Sequence, residues 1–175
     1  MTAALLDQLV SRIRAEEILD EPVAEDGIVH GRARFEAAGV EVAVNIDPEL
    51  DEDGETDAEP VDLVAALEGV LAMSETQWRA VTDAVIAELE AVDTAEPAAD
   101  QVDLDNDLEA RSLIVFADAV LVRFEAPRRF PASRILAQLD DAFDVEGVDV
   151  EDDDDIDTVA FDSLDDLIDH LTDGR

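Results

Sequence analysis

More strand-forming pattern lies between Ser112 and Val150 than anywhere else in this chain, and that stretch limits the possible folds most. An apolar run, Leu113-Ile114-Val115-Phe116, meets a tight Ala117-Asp118-Ala119 connection, after which Val120, Val122 and Phe124 alternate with Leu121, Arg123 and Glu125. A period of two sends one set of side chains to a core and the other to water, so the pair reads as a β-hairpin. Past Pro127-Arg128-Arg129-Phe130-Pro131, the segments Arg134 to Leu139 and Phe143 to Val150 form a second pair, joined through Asp140-Asp141-Ala142 and loosened at Gly147. A sheet with an apolar face must bury it against another layer. The rest of the chain supplies helices for that purpose.

Leu5, Leu6, Leu9, Val10 and Ile13 share one helical face, and this helix is expected to end near Ile18, because the proline of Asp20-Glu21-Pro22 disfavours helix in the residue before it. Ile28 to Phe35 and Val40 to Ile46 read as a further hairpin turned at Ala37-Ala38-Gly39. Leu63, Val64, Leu67, Val70 and Leu71 mark a helix stopping near Met73. Ser74-Glu75-Thr76-Gln77 is then a capping box that opens a helix with Trp78, Val81, Val85, Ile86 and Leu89 on one side. A last helix is expected with Leu164, Leu167, Ile168 and Leu171 on one face, after a short extended Val159-Ala160-Phe161.

The expected fold is therefore α+β, with antiparallel hairpins packed against amphipathic helices in the order α-β-β-α-α-β-β-β-β-α. Its 175 residues fit a single domain, read as two halves: an α/β portion over 1–92 and a sheet-rich portion over 111–175 with an acidic tail and terminal helix, connected by a linker over 93–110. A chain of this size buries about two-thirds of its unfolded surface. Its 47% hydrophobic content supports a folded core built mainly from Val, Leu, Ile and Ala.

Charge narrows the function classes. The 48 acidic and 11 basic residues leave a net charge of −37, and every basic residue is arginine. Such a surface repels phosphate backbones and anionic membranes, so the expectation is no direct nucleic acid, no membrane and, if a partner exists, a basic protein. The competing reading is a salt-adapted or housekeeping protein whose acidity is compositional. Nine acids and no base lie between Asp47 and Asp62, a density expected to keep that loop extended and solvated. With no cysteine there is no disulfide framework, thiolate nucleophile, zinc ribbon or Cys-x-x-Cys-His haem attachment. Met1 to Ile18 interrupts its apolar residues with Asp7, Arg12 and Arg14 and does not read as a secretory signal, and no run approaches the roughly 18 apolar residues of a membrane span, so the expected location is cytoplasmic.

Candidate chemistry is sparse. Asp103-x-Asp105-x-Asp107 copies the opening of an EF-hand loop, but Leu108 replaces its glycine and Ile114 its final glutamate. Weak divalent-cation association with the Asp152 to Asp155 run is the remaining metal reading, and no metal site or cofactor is assigned. His30 falls in a strand and His170 in the last helical turn, and no lysine, tyrosine or cysteine accompanies them. The expectation is a non-enzyme, with a carboxylate-based hydrolase as the opposing class. The candidate partner-binding residues are Asp51, Glu52 and Asp53 of the acidic loop, Arg123, Arg128, Arg129 and Phe130 of the arginine-rich stretch, and Asp152, Asp153, Asp154 and Asp155. That arginine-rich stretch either pairs with the protein's own Glu151 to Asp157 or anchors an acidic partner, since arginine and aromatic residues dominate interface hot spots.

The order of strand pair, helix pair entering through Trp78 after its cap, then Leu113 to Phe124 and Ile135 to Val150, resembles small bacterial domains of unknown function, some encoded beside polymorphic toxin systems. The likeness covers most of Gly27 to Val150. It implies an α+β cytoplasmic interaction protein of immunity or inhibitor type, and it carries over no catalytic residue.

Overall fold

The computed structural model describes residues 2–92 and 103–152. Its centre is a seven-stranded sheet in sequential order, β1 (Asp20–Glu25), β2 (Ile28–Phe35), β3 (Val40–Ile46), β4 (Glu109–Val115), β5 (Val120–Glu125), β6 (Ser133–Leu139) and β7 (Val145–Asp152). All neighbours are antiparallel except β3 and β4, which run parallel with Val44 opposite Leu113 and Ile46 opposite Val115. That one pairing makes a single sheet from strands on both sides of the 93–110 stretch. Between β3 and β4 lie α2 (Pro60–Leu71), α3 (Glu75–Val92) and the single turn α4 (Leu104–Asp107), while α1 (Thr2–Ala15) precedes the sheet.

Strand parity decides which face is covered. Val29, Ala33 and Phe35 of β2, Val42, Val44 and Ile46 of β3, Leu113 and Val115 of β4, Val120, Val122 and Phe124 of β5, and Ile135, Ala137 and Leu139 of β6 are all buried on one face. Leu9 and Ile13 of α1, Leu63 and Leu67 of α2, and Val85 and Leu89 of α3 complete that core from the helical side. Each such side chain contributes about 1.5–3 kcal/mol by leaving water. Trp78 lies between two rings of the sheet, edge-on to Phe35 at 4.7 Å and stacked on Phe124 at 5.5 Å between centroids. The opposite face carries His30, Asn45, Ile114, Leu121 and Leu136 among ion pairs, cross-strand for Arg32–Glu41 and Arg111–Glu125, both at 3.0 Å, and within one strand for Arg111–Glu109 at 2.8 Å and Arg123–Glu125 at 3.0 Å.

The local signals for helix ends act as chemistry requires. The Ser74 amide donates to Gln77 Oε1 at 2.9 Å and the Gln77 amide to Ser74 Oγ at 3.2 Å, a reciprocal capping box. Helix α1 stops at Ala15 rather than near Ile18. There Glu17 turns left-handed (φ 52°), and the amides of Ile18 and Glu17 donate to the carbonyls of Ile13 and Arg14, a Schellman closure made without glycine.

The α+β class holds, and the expected element order is corrected in two places. Asp20–Glu25 is a strand, although its sequence DEPVAE lacks alternation; it is a short edge strand with a register irregularity between Asp20 and Val23, and proline and charge are common at such edges. Leu104–Asp107, expected to be linker, is a helical turn capped by Asp103, whose Oδ1 accepts the Asp105 amide at 3.2 Å. The Asp47–Glu59 loop is not simply extended by its charge. Asp51 Oδ1 accepts the amides of Asp53 at 3.0 Å and Glu55 at 2.8 Å, Asp47 accepts that of Glu49 at 2.8 Å, and Thr56 donates to the Pro48 carbonyl. The terminal helix with its His170, the extended 159–161 segment and most of the expected linker lie outside the described residues. Among the described residues no helix is long and apolar enough to cross a membrane.

Candidate functional site

Topology sorts the chain's charge by the ends of the sheet. Because β4 runs parallel to β3, the exits of both strands, the β1–β2 turn, the β4–β5 turn and the β6–β7 turn all come to one end. This end collects Glu25 and Asp26, the loop acids from Asp47 to Asp62, Asp118, and Asp140, Asp141 and Asp144, and those segments contain no basic residue. At the other end lie the β2–β3 turn, the entry to β4 and the β5–β6 turn with Arg128 and Arg129.

Between α2 and the β4–β5 and β6–β7 turns, the acidic end opens into a groove of about 540 Å³. Ala65, Ala66 and Gly69 of α2, Ala117, Ala119, Val120 and Phe143 form its apolar lining, with Asp62, Asp118, Asp140 and Asp141 around it. Asp140 shapes this wall by accepting the amides of Ala142 and Asp144, both at 2.9 Å, which turns Phe143 into the left-handed region (φ 65°). Its ring lies against α2 at Gly69: a Cβ on residue 69 would stand 2.9 Å from Phe143 Cζ, so a larger residue there would make the ring shift. The electrostatic strain of the acidic end is felt at Glu49. Partial burial first, then Asp118 and Asp47, push its carboxyl above the ordinary glutamate value. A second groove of about 590 Å³ runs from Glu49 to Asp57 against Ala4, Leu5 and Gln8 of α1.

The other end uses its carboxylate differently. Asp107 is only 4% exposed; its oxygens accept the Arg128 amide at 3.0 and 3.2 Å and the Arg129 amide at 2.9 Å, tying α4 to the β5–β6 turn. The Asp103-x-Asp105-x-Asp107 spacing thus serves a cap and a turn. Among the described residues no group of three His, Asp or Glu has a metal-holding arrangement. His30 Nδ1 is 2.7 Å from Asn45 Oδ1 on the face of the β2–β3 pair opposite the core.

The expected partner-binding residues fall in separate places. Asp51, Glu52 and Asp53 stand at the acidic end. Arg128, Arg129 and Phe130 occupy the β5–β6 turn at the opposite end, and Arg123 lies mid-strand, ion-paired to Glu125. Asp152 closes β7 with its Oδ1 accepting from Ser133 Oγ at 2.9 Å, which sets the start of the acidic tail beside β6, and Asp153, Asp154 and Asp155 lie outside the described residues. Sequence reasoning missed Asp62, Asp118, Asp140 and Asp141 as members of the acidic end. The signal was present in part, since both hairpin connections carry acids, but the parallel β3–β4 pairing that brings them to one end has no local signature. No protein-family model matches the chain, and no curated protein or solved structure is significantly similar to it.

Proposed function

We propose that this protein is a non-catalytic, cytoplasmic binder of a basic protein, acting as an immunity or inhibitor protein does by occupying its partner's surface. The observation that carries this reading is the segregation of charge: carboxylates from four separate connections share one end of the sheet, and those segments contain no basic residue. Purely compositional acidity gives no reason for the few arginines to avoid that end. Converging like charges raise the local potential and attract a complementary surface, which speeds association and makes it salt-dependent. The pattern-level resemblance to toxin-linked domains points the same way.

Affinity capture from lysate of the producing organism tests it, with full-length protein immobilised at low salt and bound material eluted by a salt gradient. The reading expects one basic protein retained at stoichiometric level, and lost when Asp118 and Asp141 are neutralised. A broad mixture of basic proteins leaving together at modest salt, equally from wild type and variant, contradicts it.

A further inference from the structure

We propose that the groove between α2 and the β4–β5 and β6–β7 turns receives an arginine side chain of the partner, an inference that rests on reading the acidic end as the partner's docking surface. The lining has two parts that match two parts of arginine. Ala65, Ala66, Ala119 and Phe143 offer apolar contact for an aliphatic stem, and the lining also holds the carboxylates of Asp118 and Asp141, which a cationic head group would meet. A guanidinium suits such a place better than an ammonium. It is more weakly hydrated, presents planar donors to paired carboxylate oxygens, and stacks on an aromatic ring such as that of Phe143.

Charge complementarity selects the occupant further. None of the lining residues is basic, so no cation of the lining itself competes for these carboxylates. An acidic or purely apolar group entering there would desolvate carboxylates without compensation. The groove's shape depends on Gly69, whose missing side chain makes room for the Phe143 ring. An apolar recess with carboxylates in its lining is therefore built into the acidic end.

The test uses the full chain, labelled with ¹⁵N, and two fluorescent peptides at low ionic strength, one alternating arginine with glycine and the other lysine with glycine. Two double variants remove equal charge: Asp118→Asn with Asp141→Asn in the groove, and Glu52→Gln with Asp53→Asn on the loop. The expected result is that the arginine peptide binds several-fold more tightly than the lysine peptide and moves the amides of Ala65, Gly69, Ala119 and Phe143. The groove variant should weaken it by about tenfold and the loop variant by less than about twofold, as loss of close charge-assisted hydrogen bonds differs from loss of distant screened charge. Equal weakening by both variants, or equal affinity for both peptides, overturns the groove while leaving the acidic end as a binding surface. Binding of neither peptide overturns both. Calcium moving the same amides and displacing the arginine peptide at micromolar concentration would make this a cation site and likewise overturn the proposal.

Discussion

The two ends of the sheet place carboxylates to opposite purposes. At the arginine-bearing end, Asp107 is buried and its oxygens are filled by the amides of Arg128 and Arg129, so its charge is consumed by the fold. At the acidic end, exposed Asp118 and Asp141 border an apolar groove, and the loop acids Glu52, Asp53 and Asp57 are exposed beside them. The difference separates structural acids from acids available to a partner. Composition alone treats all 48 as equivalent.

The sharpest way to break the comparison is to exchange what each end should tolerate. Replacing Asp107 with Ala leaves the part-buried amides of Arg128 and Arg129 without their acceptor and should cost about 2–3 kcal/mol, read as a lowered urea midpoint at unchanged slope. Asp107→Asn should recover part of this, because an amide oxygen still accepts. A loss below about 0.5 kcal/mol would mean that Asp107 is as dispensable as the loop acids. Ser74→Ala, which removes a capping-box partner at the entry to α3, should cost about 1 kcal/mol in the same assay. Gly69→Ala sets two effects against each other: alanine favours helix by about 1 kcal/mol, but its Cβ meets the Phe143 ring. A net loss of stability is expected, and pairing it with Phe143→Leu should reverse the sign.

Smaller effects are expected among the exposed acids. Neutralising Glu52, Asp53 and Asp57 together should leave stability unchanged or raise it slightly, more at low salt than at high, since it relieves like-charge repulsion. For Glu49 the sign follows from its raised carboxyl value. The folded state holds that proton more tightly than the unfolded chain, so stability falls as pH rises from the ordinary glutamate range through the raised value, then stays level. Glu49→Gln should therefore match or exceed wild type at neutral pH, and its advantage should vanish below the ordinary carboxylate range. Thermal melts of the two proteins from pH 3 to pH 7 check this, and a variant less stable at pH 7 contradicts it.

Much of the fold was legible because local pattern and tertiary role coincide. Val40, Val42, Val44 and Ile46 alternate in the sequence and are packed on one face of β3, and the Ser74–Gln77 box forms as its spacing predicts. Strand β1 was hidden because an edge strand does not need an apolar face: Asp20, Glu21 and Glu25 are exposed, and Val23, its main apolar residue, is 51% exposed. Asp107 was hidden for another reason, since its partners are 21 and 22 residues away across the sheet end. The candidate groove was legible only in fragments. Asp62, Asp118 and Asp140 each read as an ordinary helix-start or turn acid until the parallel β3–β4 pairing assembles them at one end.

The most direct measurement of the central claim is the association rate of the arginine–glycine peptide across a range of salt concentrations. It should be made with wild type and two variants of equal charge. Glu52→Gln/Asp118→Asn/Asp141→Asn removes three charges from the acidic end, and Glu36→Gln/Asp83→Asn/Asp105→Asn removes three from exposed acids near the other. The account predicts that only the first variant slows association and flattens its salt dependence, because steering follows the local field and not the total charge. Equal slowing by both variants, with parallel salt dependence, would show that the charge acts only through its sum and would contradict an acidic end built for binding.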